Sequence, residues 1–391
     1  MNANAPLIVA PSPTLLPDFG ATRRNPTRPV EYRDEKFDDQ FDSETLLFDA
    51  FWTAPGKAAL LAPPFLNLAS AVASTQFFAM GERCQARVRH LERHTQIWLR
   101  TPPGAERLTC EGPLGAFEIV PGKNLADLFA GRRALLTLSK NNSLTWILDW
   151  VRYHRDVHGA DAVLFYDNAS TDYDAEDLAR SLGSLDGIAQ TVVVPWPFKY
   201  GPQGIDAWRF WDSNFCQRGA WEHARWRFLA EARSVMVGDI DELVVSRNGM
   251  TAFETAERSW SGLARYYGRW VIGGSTAERS DESAPRHRDF DIVLRPKMER
   301  SRLLLKRDSL RCMPKWTLVP GRCPPGAQWK VHSIAGWPAS LTSTPSLGFR
   351  HFRELTNNWK YQRASGEPFD PALHEIDADL RAAMNTVDWL R

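Results

Sequence analysis

Apolar and polar positions change texture at about residue 133. From about 45 to 130 the apolar runs are short and broken by Pro and Gly: Leu46–Trp52, Gln85–Arg89, Thr95–Arg100 and Ala116–Val120. Ile97, Leu99 and Thr101 alternate with Trp98 and Arg100, the two-residue period of a half-buried strand, so a small antiparallel β-rich domain is predicted over 45–130. Beyond 133, short apolar runs alternate with amphipathic stretches. Strands are predicted at Ala134–Ser139, Ala162–Tyr166, Gln190–Pro195 and Ser234–Gly238. Between them, Leu144, Ile147, Leu148, Val151 and His154 share one helical face behind Asn142 or Ser143 as cap. A second helix is expected over Ala175–Leu182, opened by Ser170, Thr171 and Asp172, and a long third over Trp211–Ala232. This alternation is the pattern of a sheet with helices on both faces.

The flanks read differently. Residues 1–44 carry Pro6, Pro11, Pro13, Pro17, Pro26 and Pro29 and then a charged stretch, which suggests a disordered or extended leader. The remainder divides into an α/β domain over 131–365 and a helical tail over 366–391, with Leu373, Ile376, Leu380 and Met384 on one face.

Composition excludes several classes. Lys and Arg number 48 against 47 Asp and Glu, a net charge of +1, so the chain lacks the electrostatic footprint of a nucleic-acid binder. No run approaches the roughly 20 apolar residues of a membrane span, and the prolines between Ala5 and Leu16 break any signal-peptide core. The five cysteines form no Cys-x-x-Cys pair, which argues against a disulfide framework or zinc cluster and suits a reducing cytoplasm. Sixteen Trp residues suit both a large core and sugar-binding surfaces.

Ligands of such sheets bind outside the carboxyl ends of the strands. There stand Lys140-Asn141-Asn142, then Asp167-Asn168 ahead of Ser170, Thr171 and Asp172, and finally Asp239-Ile-Asp241-Glu242. Helix capping explains Ser170, Thr171 and Asp172 but not Asp167 and Asn168. In an extended segment Asp239 and Asp241 would project together while Ile240 enters the core. Two such carboxylates repel unless protons or a cation compensate them, and a hard divalent metal with a nucleotide diphosphate is the natural compensation.

The segments Lys140–His154, Val163–Asp172 and Val237–Leu243, in this order and spacing, resemble the GT-A glycosyltransferases, specifically glycosyltransferase family 92 and the related family-2-like bacterial enzymes. The resemblance covers about residues 133–365. It implies a GT-A, Rossmann-like mixed α/β sheet, a nucleotide-sugar donor with uridine diphosphate as the default, and Mn2+ or Mg2+. Carried over by position, Lys140, Asn141, Asp167 and Asn168 would lie near the donor, Gln217 would occupy another donor position, Asp239 would approach ribose or metal, and Asp241 would bind the metal. Asn142 stands where such families usually have Glu. His332 and His351 are the two candidates for a further metal ligand, and Lys315, Arg350 and Arg353 for holding the diphosphate. Arg269–Ser275 would lie toward the acceptor.

An inverting transfer needs a carboxylate to take the acceptor hydroxyl's proton. Glu278, Asp281 and Glu282, in the charged loop after Gly273-Gly274-Ser275, are the candidates. The chain is therefore expected to be a metal-dependent glycosyltransferase acting on a glycan or lipid-linked acceptor in polysaccharide or surface-glycan synthesis, in the cytoplasm or peripherally at the inner face of the membrane. Two other readings are a metal-dependent nucleotidyltransferase, and a non-catalytic glycan-binding protein that uses Trp52 and Trp98 of the β-rich domain.

Overall fold

The computed structural model describes residues 5–16, 22–274, 285–300, 306–355 and 369–390. In the β-rich region, strands β1 (Asp49–Ala54), β2 (Lys57–Ala62), β3 (Gln85–Leu91) and β4 (His94–Arg100) form an antiparallel sheet in the order β1-β2-β4-β3. A second four-stranded sheet contains Gln76–Ala79, Glu82–Arg83, Leu108–Gly112 and Gly115–Ile119. Leu60, Ala62, Phe77, Ile97, Leu99, Leu108 and Cys110 bury the space between them.

The larger region begins with β5 (Arg133–Ser139), α1 (Leu144–His158), β6 (Ala162–Asp167), α2 (Ala175–Gly183) and β7 (Gln190–Pro195). Helices α3 (Ile205–Phe210) and α4 (Phe215–His223) follow, then β8 (Ser234–Val237), β9 (Glu242–Ser246), α5 (Ala252–Arg258), β10 (Leu263–Gly273), β11 (Cys312–Leu318) and β12 (Leu347–Phe352). The order β7-β6-β5-β8 is parallel, and β11 and β10 extend it antiparallel, so the sheet is mixed. β12 joins β9 antiparallel and β10 parallel.

Period-2 alternation assigns the two faces. Leu135, Val163, Phe165, Val193 and Met236 pack under α1, α2 and α5, whereas Leu136, Leu164, Tyr166, Val192, Val194 and Val237 pack under α4. The predicted α/β sheet with helices on both faces and a separate, smaller β-rich region is thus the observed architecture. Ser143 caps α1 through Trp146 N, 3.3 Å. Ser143→Ala is expected to lower stability by about 1 kcal/mol in a denaturant titration.

Several local expectations are corrected. Residues 211–232 are not one helix: Trp211 and Asn214 adopt positive φ between α3 and α4, and Ala224–Phe228 is a π-helical turn. Asp174, not Ser170, Thr171 or Asp172, caps α2, accepting from Asp177 N at 2.7 Å. The tail consists of a strand, His374–Ile376, and a helix, Ala378–Met384; Leu380 and Met384 are buried, but Leu373 and Ile376 are exposed because they precede the helix. The described part of the leader packs against the rest of the chain and includes a short helix, Phe37–Gln40, with Phe37 buried. Leu7–Ile8 adds a parallel strand beside β7, and the buried Arg28 forms a two-pronged ion pair with Asp212.

The two regions share an apolar seam. Phe48 lies against α4 at Gly219, where a Cβ would stand 2.6 Å from the ring, so only glycine permits the approach. All five cysteines are buried and unbridged. No helix among the described residues is long and apolar enough to cross a membrane.

Candidate functional site

The carboxyl ends of β5 and β8 open into a cavity of about 310 Å³. Asp239, Asp241 and Glu242 line one wall, and Lys140 and Asn142 follow β5 at another. The acidic segment is not extended as expected. Glu242 N donates to Asp239 O at 3.0 Å, closing a turn between β8 and β9. Both aspartates still reach the cavity, and Ile240 is buried.

Asp239, Asp241, Glu242, Lys315 and His351 make this turn one charged cluster. Lys315 Nζ, buried on β11, lies 2.7 Å from Asp239 Oδ2 and 2.9 Å from Glu242 Oε2. Burial lowers the affinity of this ammonium for its proton, but Asp239 and Glu242 outweigh burial and raise it. Glu242 Oε2 also accepts from Asp239 N at 3.0 Å. Burial, opposed by Lys315 and His351 and reinforced by Asp239 and Asp241, pushes the Glu242 carboxyl up to about 7.

On the other side of the turn, the β9–β12 register sets Glu242 opposite His351. His351 Nε2 stands 3.1 Å from Asp241 Oδ2, and its ring stacks on Trp270 with centroids 4.3 Å apart and planes inclined 22°. Phe352 N donates to Asp241 O at 2.8 Å, which fixes the backbone beneath the carboxylate. His332 lines the cavity too, with Nδ1 3.0 Å from Pro314 O. Burial and the Lys315 charge pull its imidazole down to about 3. His332 is held by a backbone carbonyl, whereas His351 shares a carboxylate with the turn.

The remaining candidates separate into cavity and scaffold. Gln217 lines the cavity and accepts from Tyr200 OH at 2.8 Å. Asn141 instead joins two loops, receiving Thr171 N at 2.7 Å and donating to Thr171 Oγ1 at 3.1 Å. Asp167 is buried and accepts from Ser170 Oγ at 2.5 Å; burial pushes its carboxyl up. Asn168 donates to the Trp196 and Phe198 carbonyls, each at 2.8 Å. Neither Asp167 nor Asn168 lines the cavity. Arg350 faces away from it, buried against Asp377 with Nε 2.5 Å from Oδ2, which overturns its expected place on the diphosphate. Arg353 stays nearby, over Trp270 at 5.4 Å. Glu278, Asp281 and Glu282 lie outside the described residues.

Arg93 and Arg218 escape a reading of strand ends. Arg93 comes from the tip of the β3–β4 hairpin, 6% exposed, with its guanidinium 4.8 Å from the Trp211 ring. Arg218 Nη2 holds Glu92 at 3.0 Å. Among the described residues, Arg93 Nε and Arg218 Nε and Nη1 are buried without a hydrogen-bond partner. Both side chains line the cavity, so the β-rich region contributes cations to a site whose acids come from the sheet. No sequence signal links Arg93 to β8, because the association is entirely tertiary.

No group of three His, Cys, Asp or Glu side chains among the described residues is arranged to hold a metal by itself. The Asp241–His351 pair nevertheless fits part of a coordination sphere. Adjacent ligands at right angles on an ion with bonds of about 2.1 Å stand about 3.0 Å apart, and ions of the Mg2+ type commonly take one or two protein ligands and complete the shell with phosphate and water.

No family model and no curated protein matches the chain. Among solved structures, a crystal structure of an active-site mutant of LgtC is similar over 38% of this chain and 49% of that one, with 14% sequence identity and a TM-score of 0.23. The chain thus spans about half the length of the LgtC structure that it matches.

Proposed function

We propose that this protein is a glycosyltransferase that moves a sugar from a nucleotide-sugar donor, a uridine diphosphate sugar, to a glycan or lipid-linked acceptor. The observation that carries the reading is the Asp239–Glu242 turn at the carboxyl end of β8, with Lys315 on one side and His351 on the other. Asp241 and His351 would hold Mn2+ or Mg2+. When bound, that ion neutralises negative charge developing on the leaving diphosphate.

The chain's own residues supply orientation and charge. Lys315 holds Asp239 in one rotamer, so its carboxylate would meet a ribose hydroxyl without first losing side-chain entropy. Gln217 is similarly fixed by Tyr200 at the donor side of the cavity. Lys140, Arg93 and Arg218 offer fixed cations to phosphate oxygens, where preorganised charge stabilises a leaving group without reorganisation. Trp270 offers an apolar face next to His351 for the acceptor. The proton of the attacking hydroxyl would pass to a carboxylate of the Glu278, Asp281 and Glu282 group, giving inversion. We place the reaction in the cytoplasm, at the inner face of the membrane for a lipid-linked acceptor.

Thermal unfolding tests the donor reading. With uridine diphosphate at about 100 times Kd and manganese present, Tm is expected to rise by about 3 °C, and chelator should abolish the rise. No shift with any nucleoside diphosphate or nucleotide sugar would overturn the proposal. Release of pyrophosphate instead of nucleoside diphosphate would move the chain to the nucleotidyltransferases.

A further inference from the structure

We propose that a second site, a basic groove of about 630 Å³ beside the β3–β4 hairpin, binds an anionic glycan as the acceptor chain. The word acceptor rests on the transferase reading, but the class of ligand follows from the groove alone.

Strand alternation builds the site. The register pairs Lys57 of β2 with Arg100 of β4, Arg100 with Gln85 of β3, and Trp98 with Arg87, so these side chains share one face. Like charges placed directly opposite each other destabilise a sheet. Here Lys57 and Arg100 are opposite each other, with Arg87 diagonal to Arg100, and no carboxylate lines the groove. Among the described residues, the side chains of Lys57, Arg87 and Arg100 have no ion-pair or hydrogen-bond partner. Arg89 is the exception: it bridges to the far wall, donating to Gly326 O at 3.2 Å. An unpaired cationic cluster of this kind invites a ligand that supplies oxyanions.

The floor selects the kind of ligand. Trp98 meets Trp226, which stands on the π-helical turn after α4, with ring centroids 4.9 Å apart and planes at 80°. Both indole N–H groups are already committed, Trp98 Nε1 to Gln96 Oε1 and Trp226 Nε1 to Glu222 Oε2, each at 3.0 Å. The rings are therefore held in place and present apolar surface to the groove. Apolar ring faces suit the C–H faces of pyranoses, and the surrounding guanidinium groups suit their carboxylate or sulfate substituents. A nucleic acid would require a wider positive field than a chain of net charge +1 offers. A lipid surface would require large exposed apolar side chains, and the exposed apolar residues lining the groove are the small Ala86 and Pro325, beside the two half-buried rings.

The hairpin connects the groove to the cavity. Arg89, on β3, lines the groove, and Arg93, at the tip of the same hairpin, lines the cavity. A glycan lying across Trp98 and Trp226 can thus direct its end toward Asp241. Because Trp226 and Pro325 complete the groove, the β-rich region alone does not form it.

The test uses the full chain in a calorimetric titration with hexagalacturonate, a heparin hexasaccharide and neutral maltohexaose. One or both anionic hexamers are expected to bind at least about tenfold more tightly than maltohexaose, with the tighter one naming carboxylate or sulfate as the group recognised. The double variant Arg87→Ser/Arg100→Ser, at exposed positions without partners, is expected to lose about tenfold in that affinity while keeping the wild-type unfolding temperature. The inference is overturned if neither anionic hexamer binds, if the double variant binds equally well, or if a ten-residue oligothymidylate or phosphatidylglycerol vesicles bind more tightly than the glycans. The nucleotide- and manganese-dependent Tm shift, measured on the same samples, separates the two readings. Glycan binding without that shift leaves the groove standing and removes the transferase; the shift without glycan binding does the reverse.

Discussion

Asp241→Asn is expected to lower sugar transfer about a thousandfold and to abolish the manganese-dependent rise in Tm. The amide keeps the size of the side chain and a polar atom near His351 Nε2, now 3.1 Å from the carboxylate, and the backbone anchor from Phe352 N is unaffected. The fold should therefore survive. What disappears is the negative charge needed to hold a divalent cation, and with it about 4 kcal/mol of stabilisation of the leaving diphosphate, at 1.36 kcal/mol for each factor of ten. Asp239→Asn should behave differently, because Asp239 is joined to Lys315 at 2.7 Å and its loss leaves a buried ammonium with only Glu242. A fall in thermal stability should accompany its loss of activity. Initial rates of nucleoside diphosphate release, with circular dichroism melts of both variants, check this. Full transfer activity with undiminished metal dependence in Asp241→Asn would remove the central assignment.

Asp49→Asn is expected to cost about 3 kcal/mol and to flatten the acid limb of the stability profile below about pH 4. Asp49 starts β1 in the β-rich region, but its partners lie on and just beyond α4: Arg227 Nη1 is 2.6 Å and His223 Nε2 2.8 Å from Oδ2. Tyr166 OH bonds His223 Nδ1 at 2.8 Å, so the imidazole is occupied on both sides. All these groups are buried, and removing one member of such a pair leaves the others uncompensated. Burial pushes the Asp49 carboxyl up, but His223, Arg227 and Ser12 N bring it below its ordinary value. Burial lowers the His223 imidazole, against the pull of Asp49.

Both shifts act in the same direction. The unfolded chain takes up protons on these groups at higher pH than the native one, so stability rises with pH through this range. His223 contributes stability above the unfolded histidine value, about 6.5, and this is lost as pH falls through its lowered native value; the Asp49 contribution is lost further below, from about pH 4 down. Urea titrations between pH 2 and 4 should show a smaller acid loss in Asp49→Asn than in the native chain, whereas those between pH 4 and 6.5 should show a larger one, because His223 loses the carboxylate that raises its proton affinity. Equal slopes would show that this network does not set the acid limit.

The elements legible in the sequence are those whose pattern is local. The β5, β6, β7 and β8 runs are apolar on both faces, as strands covered on both sides must be, and α1 shows a helical stripe behind a capping serine. The long helix over Trp211–Ala232 misled because its apolar spacing continues across the breaks at Trp211 and Asn214, which tertiary contacts impose. Leu373 and Ile376 likewise carry a helical spacing while sitting in or beside an edge strand.

Adjacency at the candidate site divides in the same way. Asp239, Asp241 and Glu242 stand together because four consecutive residues cannot lie far apart, and the apolar run before them marks a strand end in any α/β sheet. Which groups compensate them was open in the sequence. Lys315 is 76 residues away and His351 110 residues away, and both arrive through strand pairings, β8 with β11 and β9 with β12, that no local pattern encodes. The place of His351 beside Asp241 depends on that register, since a slip by one residue turns a strand's side chains to the opposite face. By itself, then, the sequence determined the strands, the first two helices of the sheet and the place of the acidic segment at a strand end, because backbone periodicity and chain connectivity act over a few residues. Only the tertiary structure decided that Lys315, His351, Arg93 and Arg218 surround that turn, because contacts between distant segments depend on how whole sheets and helices bury their apolar faces together.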